Sequence, residues 1–134
     1  MGRMLNILMV EDNAMDAELI RRILVKDFPD LMFSMCTNGK EFARLLESFS
    51  PDVILCDNSL PEFSSSEALA MAKTQAPYTP FILVTGTVSE EYAAEIIRSG
   101  ADDYILKDRL ARLPAAVESA PTEVRSLREA EREA

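Results

Sequence analysis

Histidine is missing from this chain of 134 residues. Imidazole zinc sites, Ser-His-Asp and Cys-His catalysis, and phosphorylation on histidine are therefore excluded within it. Cysteine is scarce. Cys36 and Cys56 both lie inside apolar runs, which predicts reduced, buried thiols of a cytoplasmic protein rather than a disulfide. No apolar run approaches membrane-spanning length, and Leu5 to Val10 behind Arg3 is too short and too soon followed by acid for a signal peptide. Basic residues number 14 against 23 acidic ones, and a net charge of −9 argues against direct nucleic-acid binding, which needs a positive footprint. No glycine-rich loop follows the first apolar run, so a flavodoxin-like nucleotide or flavin binder has no support.

What is present is a rhythm of strand and helix signals. The length predicts one domain with a proper core, and a hydrophobic fraction of 48% is ordinary for a globular protein. Leu5 to Val10 is an apolar run that ends in Glu11-Asp12-Asn13. Asn13 is a good N-cap, and Leu19, Ile20, Ile23 and Leu24 repeat at helical spacing up to Phe28-Pro29. Leu31 to Cys36 predicts a second strand. Asn38 caps the next helix, with Glu41 in capping-box position and Phe42, Leu45, Leu46 and Phe49 as its stripe.

The third strand, Val53 to Cys56, is the centre of the pattern. It is apolar without alternation, as expected of a strand buried on both faces, and it runs straight into Asp57. Taken alone, Asp57 is more simply a turn or cap residue. An alanine-rich helix, Glu67 to Lys73, follows Ser64-Ser65-Ser66 and ends before Pro77 and Pro80. Phe81 to Val84 is a fourth strand meeting Thr85-Gly86-Thr87. Ser89 caps a fourth helix that Gly100 ends, and Asp103 to Leu106 is a fifth strand closed by Lys107. Five such units predict an α/β fold with a parallel sheet and helices on both faces.

On that frame Glu11 and Asp12, Asp57, Thr85 and Lys107 all fall at carboxyl ends of strands, where open α/β sheets bind their ligands. Three carboxylates gathered at one edge repel one another and call for a cation. Hard oxygen ligands of this kind suit Mg²⁺. A hydroxyl and an ammonium beside that ion would complete a pocket for a phosphoryl group.

The chain at this point resembles the receiver domains of two-component response regulators, over nearly all of residues 5 to 120. The resemblance rests on Glu11-Asp12, on Asp57 followed by Leu60-Pro61, on Thr85-Gly86, and on Gly100-Ala101-Asp102-Asp103-Tyr104-Ile105-Leu106-Lys107. It implies a flavodoxin-like, doubly wound five-stranded sheet in the order 2-1-3-4-5, with its switch point between the first and third strands. It also implies roles. Asp57 would be the phosphoacceptor, taking a phosphoryl group from a phosphohistidine on a sensor histidine kinase or a histidine phosphotransfer protein. Glu11, Asp12, Asp57 and the backbone carbonyl of Ser59 would hold Mg²⁺. Lys107 would pair with the phosphoryl oxygens, Thr85 would bond to one of them, and Tyr104 would be the aromatic that turns inward when the threonine moves. Tyr104 is equally accounted for as a half-buried strand aromatic.

Two positions depart from the family pattern. Asp108 follows Lys107 where many receivers have a cis-proline, and a cis bond between other residues costs about 2.5–4 kcal/mol, so local rearrangement or strain is expected there. Ser65 stands where many have glycine, which predicts a penalty wherever a positive φ is required. Leu110, Leu113, Val117, Ala120, Val124 and Leu127 form a heptad-like stripe, with Pro114 suited to a first turn and Pro121 set to break the middle. We therefore expect a receiver over 1–120 and a charged helical extension over 121–134. The closing segment resembles receivers attached to hybrid sensor kinases or standing alone beside them. A homodimer could form through the C-terminal helix or the face of the fourth helix, fifth strand and final helix. The alternative from the enzyme class is a Mg²⁺-dependent aspartyl phosphotransferase or phosphatase of haloacid dehalogenase type. That family wants a second Asp two residues after the first, where this chain has Ser59.

Overall fold

The computed structural model describes residues 5–58, 60–86 and 89–120. In chain order it comprises β1 (Leu5–Val10), α1 (Ala14–Asp27), β2 (Leu31–Cys36), α2 (Gly39–Ser48), β3 (Val53–Cys56), α3 (Ser65–Gln75), β4 (Phe81–Thr85), α4 (Glu90–Arg98) and β5 (Asp103–Leu106). A 3₁₀ helix, Lys107–Arg112, then leads into a last α-helix over residues 113–120, here α5. The strands form one parallel sheet in the order β2-β1-β3-β4-β5, as expected.

Absence of alternation in the strands has a simple cause: successive side chains enter two different cores. Leu8, Val10, Ile54, Cys56, Phe81 and Leu83 face a cluster completed by Phe42, Leu45, Leu46, Ala68, Leu69 and Ile96 from α2, α3 and α4. Their neighbours Ile7, Met9, Val53, Leu55, Ile82, Val84 and Ile105 face Ile20 and Leu24 of α1 and Leu110, Leu113 and Val117 near the chain's end. β1, β3 and β4 are thus buried on both sides, as parallel strands require. The first half of the C-terminal stripe packs on the sheet, and Val124 and Leu127 lie outside the described residues.

Local sequence sets the helix starts. Asn13, Asn38, Ser64 and Ser89 all cap through side-chain oxygens that accept a backbone amide. The reciprocal capping box, both halves made, is seen at Ser64 and Glu67, while at Asn38 the side chain accepts the Glu41 amide at 2.9 Å. α3 consequently begins two residues earlier than its alanine pattern suggests. Gly100 ends α4 at φ 121°, with its amide bonded to Ile97 O and the Ala101 amide to Ile96 O, a Schellman closure. The positive φ is what requires glycine there; a Cβ would also lie 2.5 Å from Lys73 Cε, but that flexible side chain can swing aside. Asp102 staples the next turn, its carboxylate accepting the Phe81 amide at 2.8 Å.

The two departures from the family pattern resolve without strain. The peptide bonds among the described residues are all trans, and the chain turns from Lys107 directly into the 3₁₀ helix. Ser65 is the first residue of α3 and does not have positive φ, so the penalty foreseen for it does not arise. Its side chain is instead put to use. Fully buried, Ser65 Oγ donates to Asn58 Oδ1 at 2.7 Å and shares a short hydrogen bond with the Tyr92 hydroxyl of α4. Ser65→Ala should leave these two partners incompletely satisfied and cost about 1 kcal/mol, a fall in melting temperature of roughly 3–6 °C. Thermal denaturation followed by circular dichroism checks this, and an unchanged midpoint would show that water replaces the hydroxyl without loss.

Candidate functional site

The parallel sheet delivers its strand ends to one edge. The Glu11 amide donates to Cys36 O at 3.1 Å and the Asp57 amide to Val10 O at 2.9 Å, so the chain leaves β1 and β3 with both acids at the same level. Glu11 and Asp57 are buried, 1% and 2% exposed, whereas Asp12 is exposed. One carboxylate oxygen from each of the three lies within 4.8 Å of the others. Thr85, at the end of β4, is fully buried.

Lys107, arriving from the end of β5, is the cation of this cluster. Its Nζ donates to Glu11 Oε1 at 2.8 Å and to Asp16 Oδ2 at 2.7 Å, and stands 3.6 Å from Asp57 Oδ2. Glu11 Oε2 also accepts the Asn13 amide at 3.1 Å. Burial pushes the Glu11 carboxyl above its ordinary value, against the downward pull of the Lys107 and Asn13 hydrogen bonds, and the Asp57 charge adds to the rise. For Lys107 burial acts downward, but bonding to Asp16 and Glu11 and the charges of Asp57 and Glu11 outweigh it and hold the ammonium well above its usual value. Lys107 is therefore fully protonated throughout the neutral range.

Asp57 Oδ1 is buried and has no hydrogen-bond partner among the described residues. An orphaned buried carboxylate oxygen is costly, and facing two further carboxylates it marks a place for a cation. The donor set is all hard oxygen, which fits Mg²⁺. Ser59, expected to add a backbone carbonyl, lies outside the described residues.

Both cysteines are free and buried. Burial, with Glu41 nearby, pushes the Cys36 thiol up to about 12, and burial with the Asp57 charge holds the Cys56 thiol well above its ordinary value, so neither is a thiolate nucleophile. Tyr104 points outward, 37% exposed, into an open groove shared with Glu90, Ala93, Ala94, Ile97 and Arg98. It does not join the acidic cluster. Sequence reasoning missed Asp16, whose place in the first turn of α1, with its amide bonded to Asn13 Oδ1, turns it back towards the strand ends.

The family model for the response regulator receiver domain matches residues 7–118. The chain belongs to that family. It is thus a receiver of the two-component type rather than a haloacid dehalogenase-type enzyme. Among curated relatives it is 34% identical to regulatory protein AtoC of Escherichia coli over 69% of this chain and 20% of that protein. It is 30% identical to chemotaxis protein CheY of Listeria monocytogenes over 78% of this chain and 87% of CheY. The chain spans 47% of the transcriptional regulatory protein YdfI of Bacillus subtilis, to which it is 31% identical over 76% of its own length. Among solved structures, the response regulator domain of Thermotoga maritima CheB aligns with a TM-score of 0.76 at 26% identity, covering 90% of this receiver and 98% of that chain. A CheY-like receiver from Methanospirillum hungatei aligns with a TM-score of 0.78 at 26% identity, covering 92% and 98%.

The crowding of three carboxylates carries an expected consequence for the receiver's stability. Asp57→Asn removes one buried charge and gives the orphaned position a donor. In the presence of a chelator it should stabilise the fold by about 1 kcal/mol, a rise in melting temperature of roughly 3–6 °C. A lower midpoint would mean that Lys107 already offsets the repulsion in full.

Proposed function

We propose that this receiver takes a phosphoryl group onto Asp57 from a phosphohistidine on a sensor histidine kinase or a histidine phosphotransfer protein. The observation that carries the proposal is the state of the Asp57 carboxylate: buried at a strand end, one oxygen unpartnered, the other 3.6 Å from a lysine ammonium. One oxygen can meet a cation while the other attacks phosphorus. The P–N bond to the donor imidazole then breaks, its electron pair returns to the ring nitrogen, and an aspartyl phosphate remains. Glu11, Asp12, Asp57 and the Ser59 carbonyl would hold Mg²⁺. When bound, the ion neutralises charge on the phosphoryl oxygens.

The protein's own residues do the rest. Glu11 fixes Lys107, whose ammonium pairs with a phosphoryl oxygen by a charge-assisted bond. Thr85, buried at the end of β4, supplies a hydroxyl, and β4 and β5 pair directly, with Thr85 opposite Leu106 and Leu83 opposite Tyr104. A threonine drawn towards phospho-Asp57 vacates space that the outward Tyr104 ring can enter. A bias of a few kcal/mol is enough to shift such an equilibrium. The affected face is α4, β5 and α5, which we take as the surface for a signalling partner or a second copy of this chain. The receiver would act on no substrate but its own aspartate. It would work in the cytoplasm through residues 1–120, with 121–134 as an extension or a link to a kinase. Among the described residues, no helix is long and apolar enough to cross a membrane.

Acetyl phosphate with Mg²⁺, read by intact mass, tests the acceptor. One added phosphoryl group is expected, abolished by chelator and by Asp57→Asn. Retention of the adduct in that variant would move the acceptor elsewhere. Thr85→Ala should accept the group yet show little change in amide exchange over residues 90 to 113, where the parent changes protection. Exchange confined in the parent to the neighbourhood of Asp57 would remove the proposed switch.

A further inference from the structure

The ammonium of Lys107 makes its hydrogen bonds to carboxylates other than Asp57. Two of its three donors are engaged by Glu11 and Asp16, at 2.8 and 2.7 Å, and Asp57 Oδ2 at 3.6 Å lies beyond hydrogen-bond length. Glu11 is part of the acidic cluster, but Asp16 is not. It comes from the first turn of α1, and its side chain is 37% exposed where Lys107 is 20%. Its backbone is tied down by the Asn13 cap at 3.0 Å. The shortest contact of Lys107 is therefore with a carboxylate that has no other assigned task, held on a rigid helix beside the site.

We propose that Asp16 is a positioning residue that holds the Lys107 ammonium in a resting place just beyond hydrogen-bonding distance of Asp57, so that an incoming phosphoryl group must win the lysine from it. This rests on Asp57 being the phosphoacceptor. A phosphoryl oxygen carries more charge than a single carboxylate oxygen and can take the ammonium, but the exchange forfeits the bond to Asp16. Weakening that bond lowers the loss. The residue acts on the balance between resting and loaded forms, and it does so through Lys107 rather than by touching the reacting atoms.

A double-mutant cycle separates this from a plain effect of charge. The probe is beryllium fluoride, a phosphoryl mimic for carboxylates, titrated with Mg²⁺ into the full chain and followed by calorimetry. Asp16→Asn should bind it about five-fold more tightly, as expected for exchanging a partly exposed charge-assisted bond for a neutral one. In a Lys107→Ala background the same substitution should have no effect, since the residue it acts through is gone. Equal tightening in both backgrounds would mean that Asp16 merely repels anions, and would overturn the assignment. Unchanged or weaker binding in Asp16→Asn alone would overturn it as well. If the parent chain takes no beryllium fluoride, the acceptor reading itself falls, an outcome distinct from an insensitive Asp16→Asn.

Discussion

Buried like charge is the constraint around which this molecule is arranged. Parallel strands all present their carboxyl ends at one edge, and here the loops leaving β1 and β3 place Glu11 and Asp57 there with almost no access to water. The compensating ammonium comes from the far side of the sheet. β3 and β4 stand between β1 and β5, three strand spacings or about 14 Å in a flat sheet. Only long side chains reaching from both ends close that gap, and the contact joins residues 96 positions apart in sequence. A lysine suits this place because its flexible stem can carry one point charge from carboxylate to carboxylate.

The rigidity that such a site needs comes from the two cores beneath it. Every second side chain of the central strands enters a different cluster, so β1 and β3 cannot slide without disturbing both. Helix caps fix the loops from the other side. Asn13 shows how closely the two jobs are joined: its side chain caps α1, and its amide bonds Glu11. Local secondary structure and site electrostatics thus share the same few residues.

This explains which parts were legible in the sequence. Strands buried on both faces appear as unbroken apolar runs, so Val53 to Cys56 and Phe81 to Val84 declared a parallel sheet. Residues at strand ends follow directly once the strands are placed, and Glu11 and Asp57 met as expected. Asp16 was invisible for the opposite reason. An acid in the first turn of a helix is favourable with the helix dipole in any protein, so nothing in its spacing separates a lysine partner from a solvated charge. Ser65 misled because its family counterpart suggested a backbone role, whereas the structure uses the side chain. The end of α3 also ran past its expected boundary, to Gln75, since nothing before Pro77 breaks the helix.

The hydroxyl contacts of Ser65 complete the picture of how the site is joined to the rest of the fold. Asn58 directly follows Asp57, and its side chain is held by Ser65 at the start of α3. Ser65 in turn bonds the Tyr92 hydroxyl on α4, which also lies 3.2 Å from Ser66 Oγ. The loop that carries the buried aspartate is therefore connected to α4 without passing through β4 or β5. If that loop moves, it must either carry the first turn of α4 with it or break a buried hydroxyl contact, and each costs energy comparable to a single hydrogen bond. In the proposed switch, Thr85 on β4 and Tyr104 on β5 would add a second, physically separate connection to the same surface. A glycine at position 65 would lose this hydroxyl link between Asn58 and Tyr92.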